Sequence, residues 1–132
     1  MLTEPRHTLS INTCTISQHA ALAALTGPQE PVDAMIEEYA ERRAWLMPAL
    51  NEAGFSYGHP GGAFYIYTNI SSSGLSSPLF CERLLQETGV MLFPGTMFGD
   101  PSTDYIRISY LQPLPLIQEA MERIASFTRS MT

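Results

Sequence analysis

The chain has 132 residues, enough for one domain, and 45% of them are hydrophobic. Charged residues make up only 15%, against about 25% in typical globular proteins, and the formal net charge is −6. An acidic chain this poor in charge excludes nucleic acid and an anionic membrane surface as partners, and points to surface that something else covers.

Residues 1–15 are polar and β-branched, with Pro5 and no clear period, and read as an irregular opening segment. Residues 16–25 are rich in Ala and Leu and predict a nearly uncharged helix ended by Gly27-Pro28. Such a helix is either buried or lies against something larger. A long second helix is predicted over 32–53. Val32, Met35, Ile36, Tyr39, Leu46, Met47 and Leu50 recur at helical spacing, while Glu37, Glu38, Glu41 and Arg42 fill the outer face. Pro48 should bend its final turn, and Gly54 supplies the stop.

From Phe55 the period changes. Phe55-Ser56-Tyr57 predicts a short strand, His59-Pro60-Gly61-Gly62 a turn, and 63–68 a second strand. A Ser-rich loop leads to a helix over 78–88 that begins at Pro78 and stops at Gly89. Residues 90–93 read as a strand halted by Pro94-Gly95. A glycine-punctuated loop then leads to a strand over 105–110, and a last helix covers 114–127. The fold class implied is α+β: a small mixed sheet with helices packed on one face, preceded by the long helix.

The strand over 105–110 carries the main chemical signal. Successive strand residues point to opposite faces, so Ile106, Ile108 and Tyr110 share one side and Tyr105, Arg107 and Ser109 the other. The isoleucines require a core, which leaves Arg107 projecting from a rigid strand on the opposite face. A planar guanidinium fork suits a carboxylate or a phosphate, although spacing alone favours the plainer reading of an arginine on a solvated sheet face or one paired with a structural acid.

Other chemistry is thin. Cys14 and Cys81 lack CxxC spacing and read as reduced, structural thiols, and His7, His19 and His59 have no metal-ligand spacing. No apolar run approaches the ~20 residues of a membrane span, and residues 1–6 do not resemble a signal peptide, so a cytoplasmic location is expected. All seven basic residues are arginines. Without a lysine, this polypeptide cannot form a Schiff base through an internal amine.

Several separated motifs line up: Ser17-Gln18, Ala20-Ala21 and Ala24-Leu25; Met35, Tyr39 and Arg42-Arg43; Pro60-Gly61-Gly62-Ala63-Phe64-Tyr65. Val90 with Pro94-Gly95 and Phe98-Gly99 follows, then Arg107-Ile108-Ser109-Tyr110 and Glu122-Arg123-Ile124. In this order and at these intervals the chain resembles the C-terminal part of class I/II aminotransferases, the fold-type I pyridoxal-phosphate enzymes, over about residues 10–127.

The resemblance implies that Arg107 holds the α-carboxylate of an amino acid or 2-oxo acid substrate. It places Phe64 near the substrate entrance, with a core aromatic as the alternative, and has Pro94-Gly95 shape the loop at the mouth of the site. It divides the chain into a remnant of the large cofactor-binding domain (1–30), a bridging helix (31–54) and the small domain (55–132). In the family a lysine, an aspartate and a phosphate cup bind the pyridoxal phosphate upstream of the matched region. No catalytic, cofactor-binding or metal-binding residue is therefore expected in this chain, which should be inactive alone. A homodimer is the expected assembly, since the uncharged first helix would otherwise lack a cover. One departure is Pro113, where family members usually place a Ser or Thr cap. The other readings are a lyase or synthase using the same cofactor, and a non-catalytic carboxylate-binding or protein-interaction domain.

Overall fold

The computed structural model describes residues 12–99 and 101–131. The chain divides into two units, Met1–Met35 and Ile36–Thr132. In the first, Cys14 caps helix α1, Thr15–Thr26, and the Gly27 N–H donates to the Ala23 carbonyl at 2.8 Å. A Cβ on Gly27 would fall 2.6 Å from that oxygen, so the helix ends where a glycine permits this approach. No residue of α1 is buried. Helix α2, Glu30–Glu52, begins slightly earlier than its sequence suggests and contains the unit boundary. It continues through Pro48, which has no N–H to donate to Ala44.

In the second unit four strands follow: β1 (Ser56–Tyr57), β2 (Tyr65–Asn69), β3 (Phe93–Pro94) and β4 (Tyr105–Ser109). Helix α3, Ser77–Thr88, lies between β2 and β3, and α4, Leu114–Ser130, follows β4. Gly54 and Gly89, both left-handed, terminate α2 and α3. Pro113 serves as the N-cap residue of α4, its carbonyl accepting the N–H groups of Leu116 and Ile117. The cap that the departure from Ser or Thr removes is thus a side-chain bond only.

The spatial order is β1-β2-β4-β3 and every hydrogen-bonded pair is antiparallel. The α+β class holds, while the mixed sheet expected from the sequence is corrected to an antiparallel one. The crossover through α3 does return the chain so that β2 and β3 run the same way. However, β4 inserts between them and pairs antiparallel with both. Strand boundaries also move, by one residue at Phe55 and Tyr110, which lie outside β1 and β4, and by more in β2 and β3. Ala63 has φ 62°, a left-handed conformation that breaks the extended chain, so β2 starts at Tyr65. Residues 90–92 form no ladder, and β3 is only Phe93–Pro94, with Pro94 inside the strand rather than beyond it.

The core lies on one face of the sheet. Ile66, Ile106 and Ile108 are buried there with Leu46 and Leu50 of α2, Phe80 and Leu84 of α3, and Ile117, Met121, Ile124 and Phe127 of α4. Phe80 meets Phe55 and Phe127 edge-to-face at centroid distances of 5.8 and 5.4 Å. Each such pair adds about 0.5–1.5 kcal/mol beyond its burial. Arg42, expected on the outer face of α2, is instead 7% exposed. Its guanidinium donates to the carbonyls of Leu111 (2.7 Å) and Tyr110 (3.5 Å) and pairs with Glu38. The chain emerging from β4 ends in carbonyls with no ladder partner, and the long arginine stem reaches them from α2.

Candidate functional site

The sheet face opposite this core carries Tyr65 and Tyr67 from β2, and Tyr105, Arg107 and Ser109 from β4. Their placement follows from the strand period: the alternate residues Ile66, Thr68, Ile106 and Ile108 are all buried. Arg107 is half-buried at the middle of β4, opposite Tyr67 on one side and Phe93 on the other.

Aromatic rings surround the guanidinium. Its central carbon lies 3.6 Å from the ring centroid of Phe98 and 5.0 Å from that of Tyr65. Phe98 ends the short 3₁₀ turn Gly95–Phe98 and meets Phe93 edge-to-face at 6.5 Å. Beside them Tyr67 and Tyr105 stack nearly flat, with centroids 5.3 Å apart and planes 8° from parallel. Gly95 makes this arrangement fit. A Cβ there would fall 2.1 Å from Tyr67 Oη and 2.9 Å from the Tyr105 carbonyl oxygen.

Among the described residues no carboxylate pairs with Arg107. The three ion pairs there join Arg42 to Glu38, Arg83 to Glu87 and Arg123 to Glu119, each within one helix. Arg107 is thus a cation held among rings, with no acidic partner among the described residues. Such a group can take a carboxylate through its N–H edge.

Phe64 precedes β2 and is 44% exposed, packed edge-to-face on Tyr65 at 5.6 Å, so it is no core aromatic. Tyr110 fixes it, donating its backbone N–H to the Phe64 carbonyl at 2.9 Å and its hydroxyl to the Ala63 carbonyl at 2.7 Å. Burial pushes the Tyr110 phenol above its ordinary value, with the Arg43 guanidinium acting the other way. Arg43 also donates to the Pro60 carbonyl at 3.2 Å, tying down the same turn. The contacts around Phe98, Tyr65 and Tyr110 had no assigned role in the sequence. Their signal there was membership in the motifs that end at Tyr65, Gly99 and Tyr110.

The sequence profile of the family Aminotransferase class I and II matches residues 6–124, nearly the whole chain. The chain belongs to the class I and II aminotransferase family. An aspartate aminotransferase of Bacillus sp. (strain YM-2) is 40% identical over 124 residues, covering 89% of this chain and 31% of that protein. An LL-diaminopimelate aminotransferase of Desulforudis audaxviator (strain MP104C) is 39% identical over 109 residues, covering 83% and 28% respectively. The crystal structure of an aminotransferase from Mycobacterium tuberculosis aligns with a TM-score of 0.86 at 33% identity, over 94% of this chain and 33% of that one. The chain thus spans about 30% of the length of the curated relatives it matches.

Among the described residues no three His, Cys, Asp or Glu side chains converge to hold a metal ion. No described helix is long and apolar enough to cross a membrane. Both cysteines are free thiols, but only Cys81 is buried as a structural residue would be; Cys14 is exposed.

Proposed function

We propose that this chain is the C-terminal portion of a pyridoxal-phosphate-dependent aminotransferase, in which Arg107 binds the α-carboxylate common to its amino acid and 2-oxo acid substrates. The supporting observation is the guanidinium on the sheet face opposite the core, braced by Phe98 and without an acidic partner among the described residues. A bidentate fork fixes both carboxylate oxygens and so orients the substrate Cα for removal of its proton. Phe64, exposed next to Tyr65, is assigned to the entrance of the same site.

The chain's residues do not fit covalent anchorage of the cofactor. It contains no ε-amino group for the pyridoxal aldehyde to condense with, so this stretch contributes substrate binding and not the group-transfer chemistry. On this reading residues 1–30 belong with the cofactor-binding domain, 31–54 bridge, and 55–132 form the small domain. The 132-residue chain alone is inactive. Helix α1, with Ile16, Leu22 and Leu25 exposed and nothing buried, favours association into a homodimer in a cytoplasmic setting. Light scattering that finds only monomer at low micromolar concentration would remove the dimer.

The carboxylate assignment is tested in the complete transaminase. Arg107→Ala should lower kcat/KM by the equivalent of roughly 2–4 kcal/mol, reasoning from hydrogen bonds to a charged group and a substrate carboxylate left unpaired. Arg107→Lys should recover only part, since a point charge does not reproduce the fork. An unchanged kcat/KM in Arg107→Ala would overturn the assignment.

A further inference from the structure

We infer that Phe98 is a positioning residue: its ring fixes the plane of the Arg107 guanidinium, so that the N–H edge faces an incoming carboxylate. The inference rests on the reading of Arg107 as a carboxylate binder, and adds the device that aims it.

The Arg107 central carbon is 3.6 Å from the Phe98 ring centroid, about the contact distance of two flat π-systems. Each guanidinium C–N bond is about 1.33 Å long, so an upright guanidinium would push at least one nitrogen well inside contact with the ring. The group therefore lies flat on Phe98. Flat stacking covers one face of the cation, where it makes no hydrogen bonds, and leaves the in-plane N–H donors uncovered.

Ordering follows from the same contact. A long arginine side chain carries considerable rotamer entropy, and a ligand that must immobilise it loses part of that from its affinity. Here the protein has already restrained the side chain. Phe98 is itself restrained, by the edge contact with Phe93 and by its place at the end of the turn that starts at Gly95. The chain reverses directly after it at Gly99, with φ 83°. Phe93 is also the register partner of Arg107 on β3. Strand, turn and ring thus form one closed set of contacts around the guanidinium. Phe98 is 43% exposed, which core packing does not explain for a large aromatic side chain.

The test uses the 132-residue chain, nuclear magnetic resonance of its arginine Nε–Hε groups, and acetate as the probe. Arg107→Lys identifies the Arg107 signal. In the unmodified chain, protons at the end of the Arg107 side chain should be shifted upfield by the Phe98 ring, and the Nε should be as rigid as the backbone. Absence of both effects overturns the inference without any variant. Phe98→Leu should abolish the shift, mobilise Nε and weaken acetate binding about three- to tenfold. Phe98→Tyr, which retains a ring, should restore all three. If Phe98→Leu leaves Nε rigid and acetate binding unchanged, Phe98 does not position Arg107. If acetate never perturbs Arg107 although Phe98→Leu mobilises it, the carboxylate reading fails and the positioning by Phe98 stands.

Discussion

The Tyr110 hydroxyl donates to the Ala63 carbonyl at 2.7 Å, joining residues 47 apart in the chain. Ala63 holds φ 62°, a conformation that costs a residue with a Cβ about 1 kcal/mol or more and persists only where the surroundings impose it. The tyrosine supplies that constraint, and with it the position of Phe64. Tyr110→Phe keeps the buried ring but removes the hydroxyl, and should lower stability by about 1–2 kcal/mol. The urea midpoint should fall with the slope unchanged, and amide exchange at Ala63 and Phe64 should rise. Unaltered exchange there would mean the turn holds itself.

Gly95 is required by proximity and not by its backbone angles. Adding one methyl group displaces the Tyr67 hydroxyl and crowds the Tyr105 carbonyl. Gly95→Ala should therefore cost about 1–3 kcal/mol, and part of the loss should appear as movement of the Tyr67–Tyr105 stack. Near-ultraviolet circular dichroism and chemical denaturation measure the two effects separately.

Thr68 offers a gain. Its side chain is fully buried in β2, and its Oγ1 has no hydrogen-bond partner among the described residues. A valine has the same branched shape without the desolvated hydroxyl. Thr68→Val should stabilise the chain by about 1–2 kcal/mol, visible as a higher thermal midpoint. A decrease would mean that the hydroxyl is satisfied in solution by a group such as a buried water.

The two thiols should differ sharply in reactivity. Cys14 is exposed, and the backbone N–H groups of Ser17 and Ile16 hold its thiol below the ordinary value by stabilising the thiolate. Burial pushes Cys81 up to about 11. At pH 8 the Cys81 thiolate is then roughly one part in a thousand, while the lowered Cys14 thiol carries the larger thiolate fraction. Iodoacetamide followed by peptide mass analysis should find Cys14 modified first, and Cys81 only on unfolding or at strongly alkaline pH. Equal rates at pH 8 in the folded chain would contradict the buried placement.

Period-based features were the most legible in the sequence. The alternation of Tyr105 to Tyr110 separates a core face from an arginine face, and β4 carries both as expected. Helix ends at Gly27, Gly54 and Gly89 were equally readable, because a left-handed or closely approached glycine is a local requirement. Features that depend on distant partners were not. Arg42 has the spacing of an outer-face residue, and nothing local announces that its carbonyl acceptor lies 69 positions away. Residues 90–92 have strand-like composition, but a ladder needs a neighbour, and β4 pairs only with Phe93 and Pro94 there. Phe98 sits in a loop without period, so only the folded chain shows its ring against Arg107.

The two outermost strands, β1 and β3, are each two residues long, and β3 contains Pro94. An edge recruits a further strand by presenting a row of free N–H and C=O groups, and neither rim here offers more than a fragment of one. At Pro94 the donor is missing altogether. The sheet is consequently a poor template for its own extension, even in a chain that leaves several large apolar side chains uncovered elsewhere. The exposed apolar side chains, Leu25 and Leu85 on helices as well as Met91 and Leu111 outside them, are the surfaces left to promote self-association, and growth of strand upon strand is disfavoured at both ends.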